Sequence, residues 1–77
     1  MSVKVYSTNF CPYCKMAKSF LKDKNVEFEE VNVQEDKQAA KEMIEKTGQV
    51  GVPVIEINGK FVIGFDREQI EKFLDTE

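Results

Sequence analysis

The chain has no histidine and no tryptophan, and its 77 residues hold only two cysteines, two prolines and four glycines. Without histidine there is no imidazole to activate a serine or cysteine nucleophile, and the commonest metal ligand is missing too. Long apolar runs are also absent. No segment approaches the roughly 18 apolar residues that cross a bilayer, and the start of the chain lacks the run of about 7–15 apolar residues that marks a signal peptide. The expectation is a cytoplasmic protein with no membrane partner. Positive charge is in deficit, with 11 Lys and Arg against 14 Asp and Glu for a net charge of −3. Nothing therefore draws the chain to a phosphate backbone, and no nucleic-acid partner is expected. Internal repeats, low-complexity tracts and linkers are missing as well, so residues 1–77 read as a single domain, expected to be a monomer.

The two cysteines are Cys11 and Cys14. A bond between them closes a loop too short to remove much entropy from the unfolded chain, so they are a poor staple. Stability must come from the 42% of residues that are apolar, arranged in periodic segments.

Residues 3–6 alternate Val3 and Val5 with Lys4 and read as a first strand. After a short loop, Pro12 suits the first turn of a helix, where its missing N–H costs nothing. That helix runs to about residue 24, with Cys14, Ala17, Phe20 and Leu21 on one face, and Asn25 fits a left-handed stop. Residues 28–33 read as a second strand with an acidic start at Glu27, Glu29 and Glu30, which suggests a solvated edge. Residues 36–47 place Ala39, Ala40, Met43 and Ile44 at helical spacing, with Gly48 as the left-handed terminator. Residues 54–57 and 61–63 are β-rich and joined by Asn58-Gly59, the dipeptide that suits a two-residue type I′ hairpin. Asp66, with Gln69 three positions on, resembles a capping box before a last helix bearing Ile70, Phe73 and Leu74. The order is βαβαββα. A parallel βαβ unit with a right-handed crossover, plus an antiparallel hairpin, gives an α/β fold with a mixed four-stranded sheet flanked by helices. Phe20, Phe28, Phe61 and Phe73 are expected in the core, while Phe10 and Phe65 flank the motif loops and are candidates for the rim of a substrate groove.

The cysteines open the first helix, and that placement carries chemistry. A thiolate rather than a thiol attacks a disulfide, so a redox cysteine needs surroundings that favour negative charge at neutral pH. A helix start provides them. The N–H groups of Tyr13 and Cys14, the positive end of the dipole, and the nearby Lys15 and Lys18 are all expected to stabilise a sulfur on Cys11 and lower its pKa. Cys14 lies one turn further along, within reach of a disulfide, and should be the more buried thiol. Cys11 is thus the candidate attacking thiol and Cys14 the one that resolves a mixed disulfide. A buried apolar cysteine pair and a zinc site are the competing readings. The first fits the helix start poorly, and the second lacks the four ligands of a closed site, so no metal ligands are assigned.

The residues Cys11-Pro12-Tyr13-Cys14, following a strand, resemble the active-site motif of glutaredoxins. Thr47-Gly48-Gln49 with Val52-Pro53 is similar to the family's segment before its proline. The stretch from Ile57-Asn58-Gly59-Lys60-Phe61 to Gly64-Phe65-Asp66 is similar to its hairpin and the turn beyond. The resemblance covers nearly the whole chain and implies a thioredoxin-like fold with a cis peptide bond at Pro53, lying against the cysteine pair. On the residues alone, Pro53 also reads as a strand-initial proline. The resemblance further implies thiol–disulfide oxidoreductase activity on protein disulfides or glutathione mixed disulfides, with glutathione as co-substrate and no tightly bound cofactor. Tyr13, Val52, Pro53, Gly64, Phe65 and Asp66 are then implied to line the glutathione groove, although capping alone also accounts for Asp66. An alternative implied by the family is an iron–sulfur or metal carrier that uses the same cysteines in a dimer.

Three positions depart from the family pattern. Thr8 stands where many glutaredoxins carry a lysine for the glycine carboxylate of glutathione, Ile63-Gly64 replaces a Gly-Gly pair, and Gly51 replaces a threonine. Loss of one charge-assisted hydrogen bond is worth about 1.5–3 kcal/mol, roughly ten- to a hundredfold in binding. The Gly-Phe-Asp turn also resembles the small redoxins that serve ribonucleotide reductase and are recharged by thioredoxin reductase. The electron donor is therefore open between glutathione and thioredoxin reductase.

Overall fold

The structure, a computed structural model, describes residues 2–75. Its elements are β1 (Val3–Ser7), α1 (Pro12–Asp23), β2 (Glu29–Asn32), α2 (Lys37–Thr47), β3 (Val54–Ile57), β4 (Lys60–Ile63) and α3 (Arg67–Asp75). The expected βαβαββα order is the observed one. The four strands form one sheet in the order β2-β1-β3-β4, with β1 and β2 parallel and the other two pairings antiparallel.

Side-chain alternation divides the core between the two faces of this sheet. Val3 and Val5 of β1, Ile55 and Ile57 of β3 and Val62 of β4 bury against Ala17 and Leu21 of α1 and Ile70 of α3. Tyr6, Val54 and Met43 of α2 form a smaller cluster on the other face, with Val31, Val33, Val52 and Phe61 packed around it. Each large side chain fully buried in this way contributes about 1.5–3 kcal/mol. Phe20 of α1 meets Phe65 edge to face at 5.9 Å, and the Arg67 guanidinium lies 5.3 Å from the Phe20 ring centre, so the start of α3 is tied to α1.

The expected terminators are in place. Asn25 has φ of 59°, Gly48 has φ of 71°, and Asn58 and Gly59 have φ of 50° and 86°, as a type I′ hairpin requires. One expectation needs correction. The second strand is shorter than residues 28–33: Phe28 turns its ring into the core beside α1, and Val33 enters the turn before α2 while its N–H still donates to Ser7 O at 2.9 Å. On α2 only Ala39 and Met43 are buried, and Ile44 is 42% exposed. Three helical turns over a narrow face bury one stripe, and Ile44 lies beside that stripe rather than on it.

Candidate active site

The strand register collects the chemically interesting residues at one edge of the sheet. Ser7 at the end of β1 pairs with Asn32 at the end of β2, Tyr6 with Val54 at the start of β3, and Val54 with Ile63 at the end of β4. The loop into Cys11, the Pro53 bond and the Gly64 turn all leave from this edge, and α1 and α3 begin there.

Cys11 is the N-cap of α1, with extended backbone at φ −151° and ψ 96°. Its carbonyl accepts from Lys15 N–H at 3.1 Å, the first turn of the helix. Its Sγ accepts from Cys14 N–H at 3.2 Å, so the sulfur takes the place of the usual capping oxygen. Pro12 follows at N1 and requires no partner for a missing donor. Cys11 and Cys14 are joined in a disulfide with their Cα atoms 5.1 Å apart. Cys14 is the more deeply buried, 1% exposed against 7% for Cys11. Of the two N–H groups expected to face the Cys11 sulfur, the one that bonds to it is that of Cys14.

Lys18 Nζ lies 2.6 Å from Glu30 Oε2 on β2, so its charge is neutralised locally, while Lys15 stays exposed at the helix start. The buried Ser7 hydroxyl donates to the same Glu30 oxygen at 3.4 Å. The hydrogen bond from Lys18 holds the Glu30 carboxyl below its ordinary range, against a smaller opposing effect of burial.

Val52–Pro53 is a cis peptide bond, as the family resemblance implied. Pro53 is buried and its carbonyl accepts from Gly64 N–H at 2.8 Å, which ties the proline loop to the turn after β4. Gly64 has φ of 78°, a conformation that a side chain disfavours. The N–H and C=O of Val52 have no partner among the described residues. Asp66 Oδ1 accepts from Gln69 N–H at 3.2 Å, so the capping account of Asp66 is realised. Phe65 is half-buried, and its ring packs edge to face on Phe20 at the fringe of the core. Phe10 is 92% exposed and Tyr13 62%, both beside the disulfide in sequence.

Sequence reasoning passed over several residues here. Met16 and Val50 join Phe10 and Tyr13 as exposed apolar groups on the helix start and the proline loop. Asn9, Asn32 and Gln34 form a hydrogen-bonded set between the loop before Cys11 and the turn after β2. An asparagine at a strand end, two residues before a glutamine, was the available signal. A hollow of about 670 Å³ lined by Glu29–Asn32 with Glu35, Asp36 and Lys37 flanks β2 and contains neither cysteine. No helix among the described residues is long and apolar enough to cross a membrane.

Comparison with known proteins agrees with this geometry. The family model for glutaredoxin matches residues 3–62. An uncharacterised glutaredoxin-like 8.6 kDa protein from the rubredoxin operon of Clostridium pasteurianum is 44% identical over 73 residues, covering 95% of this chain and 97% of that protein. The glutaredoxin-like protein NrdH of Lactococcus lactis is 34% identical over 70 residues, covering 91% of this chain and 96% of that one. Among solved structures, a mutant of the thioredoxin-like protein BC3987 superposes with a TM-score of 0.91 at 33% identity, covering 99% of this chain and 97% of the other.

Proposed function

The chain belongs to the glutaredoxin family, and on that premise we propose that it is a thiol–disulfide oxidoreductase that reduces protein disulfides through Cys11 and Cys14. The observation that carries this reading is the Cys11 sulfur at the N-cap of α1, held by the Cys14 N–H with Cys14 buried behind it.

The cycle starts from the reduced dithiol. The Cys11 thiolate attacks one sulfur of the substrate disulfide; a new S–S bond forms to Cys11 and the first substrate thiolate leaves. The Cys14 thiol attacks Cys11 Sγ and breaks the mixed disulfide; the second substrate sulfur leaves with the proton that Cys14 gives up. Two electrons have then passed to the substrate and the Cys11–Cys14 disulfide remains, the state seen in the structure. A reductant supplies two electrons to restore the dithiol, and no tightly bound cofactor takes part. No histidine is needed, because the N–H of Cys14 and the helix dipole favour the thiolate and lower the Cys11 pKa.

Val52 presents its free N–H and C=O to an extended segment of substrate, with Tyr13, Pro53, Gly64, Asp66 and the backbone of Phe65 completing the groove. Glutathione fits the same groove weakly. Thr8 supplies no charge and donates its hydroxyl to Phe10 O at 3.4 Å, and Lys18 is bound to Glu30. The exposed Phe10, Tyr13, Met16 and Val50 suit a protein surface better than a tripeptide. The Lactococcus relative, matched over 96% of its length, is of the same small size. Thioredoxin reductase is accordingly the donor of choice.

The test supplies either thioredoxin reductase or glutathione with its reductase and follows reduction of a protein disulfide. Thioredoxin reductase should sustain turnover, and glutathione should be at least about tenfold less effective. The reverse ranking overturns the donor assignment but leaves the dithiol cycle standing. Asp66→Asn keeps the cap and removes the charge, so unchanged glutathione turnover in that variant removes the Asp66 charge from the groove. Failure of every donor, with the Cys11→Ser protein equal to the parent, overturns the enzyme reading.

A further inference from the structure

The three residues between β1 and Cys11 are Thr8, Asn9 and Phe10, and they are anchored to the turn after β2. Asn32 closes that strand, and its side-chain oxygen accepts from the N–H groups of Gln34 at 2.9 Å and Glu35 at 3.3 Å. Its backbone carbonyl accepts from Asp36 N–H at 2.9 Å. The carboxamide is therefore fixed before it meets anything across the sheet edge. Its free end, Nδ2, donates to Asn9 Oδ1 at 2.6 Å. Asn9 is held a second time, since its N–H donates to Gln34 Oε1 at 3.1 Å. One short turn thus grips Asn9 by side chain and backbone, two residues before the sulfur that accepts the Cys14 N–H.

We propose that Asn32 is a positioning residue for the attacking thiol, acting through Asn9 to hold the Cys11 sulfur at the tip of α1. The inference rests on the reading of Cys11 as the nucleophile and adds a residue from another strand to that site. The sequence separation of Asn32 and Asn9 is 23. A cap sulfur stabilises its charge only while it lies within hydrogen-bond distance of an N–H near the helix start, and the dipole's effect fades within the first turn. The approach to Cys11 requires an extended backbone, φ −151° and ψ 96°. The residue just before it, Phe10, is 92% exposed and buries almost nothing that would hold the loop. Packing therefore leaves the loop to its hydrogen bonds, and Asn32 provides a donor whose orientation is already set by its own turn.

The ionisable groups at this edge are Tyr13, Cys14 and Lys15 of α1, Lys18 with its partner Glu30 of β2, Glu35 and Asp36 before α2, and Asp66 and Arg67 at the start of α3. None of them is altered by a change confined to the Asn9–Asn32 bond. Asn32→Asp retains the oxygen that accepts from Gln34 and Glu35 and replaces the donor to Asn9 with a charged acceptor, to which a turned Asn9 carboxamide donates instead. Asn9→Ala breaks the same bond from the other side, at an exposed position.

The experiment measures the rate of Cys11 alkylation by iodoacetamide against pH in the reduced parent, Asn9→Ala, Asn32→Asp and the double variant, with thermal unfolding recorded for each. Asn9→Ala, which removes the bond outright, should move the midpoint upward by about half a unit to one unit, the scale of a partly lost charge-assisted hydrogen bond. The double variant should match Asn9→Ala, because Asn32 acts through the Asn9 side chain and has no other route to the sulfur. Midpoints equal to the parent's overturn the proposal, even if unfolding temperatures fall, since that pattern is stability alone. Shifts that add in the double variant also overturn it, since the carboxylate introduced by Asn32→Asp would then act independently of Asn9. A parent midpoint near the free-cysteine value of about 8.5 overturns this inference together with the nucleophile reading.

Discussion

The two faces of the sheet are built unequally. Among the described residues, the apolar cluster beneath α1 and α3 joins eight buried residues from five elements, whereas the cluster beneath α2 joins Tyr6, Met43 and Val54. Both faces come from the same strands, so the difference lies in what covers them: two helices on one side, and on the other a single helix whose buried residues are Ala39 and Met43. The cysteine helix belongs to the thick side, where Cys14, Ala17 and Leu21 form its buried stripe. The Pro53 loop and the Asn32 turn adjoin the thin side, where polar bonds supplement a small apolar cluster. Tyr6 Oη donates to Glu56 Oε1 at 3.3 Å and Asp36 caps α2 through Ala39 N–H at 3.0 Å. The site lies where a rigidly packed nucleophile meets a hydrogen-bonded frame, which suits a thiol that must stay fixed beside a surface that receives varied substrates.

Several measurements sharpen or break this contrast. Leu21→Ala, on the thick side, should cost about 3–5 kcal/mol in urea unfolding, a large part of a small domain's stability. Met43→Ala, on the thin side, should cost about 2–3 kcal/mol because its unbranched chain fills a shallower layer. Equal costs, or a larger one at Met43, would mean that the faces contribute alike. Removing the α3 cap with Asp66→Ala should cost about 1 kcal/mol, with Asp66→Asn close to neutral. Equal losses in both variants would indicate that charge rather than the hydrogen bond matters there.

The smallest effects are pH-dependent and separate the faces by direction. On the thin side, burial and the neighbouring Glu56 raise the Tyr6 pKa above 10.0. A raised folded pKa gives a contribution that is complete below the unfolded value and lost as pH climbs above about 10. On the thick side Glu30 is lowered from 4.5 by Lys18, so its contribution is present above that value and lost as pH falls below it. The Glu30 side chain is half exposed, so Glu30→Gln should cost less than about 1 kcal/mol at neutral pH. The stability gap between parent and Glu30→Gln should close in acid, and that between parent and Tyr6→Phe in alkali; a gap constant across pH contradicts the corresponding pairing.

What was legible in the sequence was mostly local. Asn58-Gly59 announces its turn because few other dipeptides tolerate two positive φ values, and Gly48 and Asp66 mark helix ends by equally local chemistry. Cys11 and Cys14 were legible for the same reason, since helix start and spacing lie within four residues. The cis bond at Pro53 came from family resemblance, not from local rules. What was missed depends on contacts distant in sequence. Lys18 reads from sequence as available to the cysteine, but β2 places Glu30 against it. Asn32 and Asn9 meet only because β1 and β2 end together. Helical periodicity could not choose between Met43 and Ile44, as both suit an apolar stripe and only the width of the covered face decides.

The central claim is the division of labour between the two sulfurs. Reduced Cys14→Ser and reduced Cys11→Ser proteins, each mixed with an excess of a model protein disulfide and analysed by intact mass and peptide mapping, test it directly. Cys14→Ser should accumulate a one-to-one mixed disulfide on Cys11 that persists until a thiol is added, while Cys11→Ser should form little adduct. An adduct that builds on Cys14 as fast as on Cys11, or no adduct with either protein, would contradict the assignment.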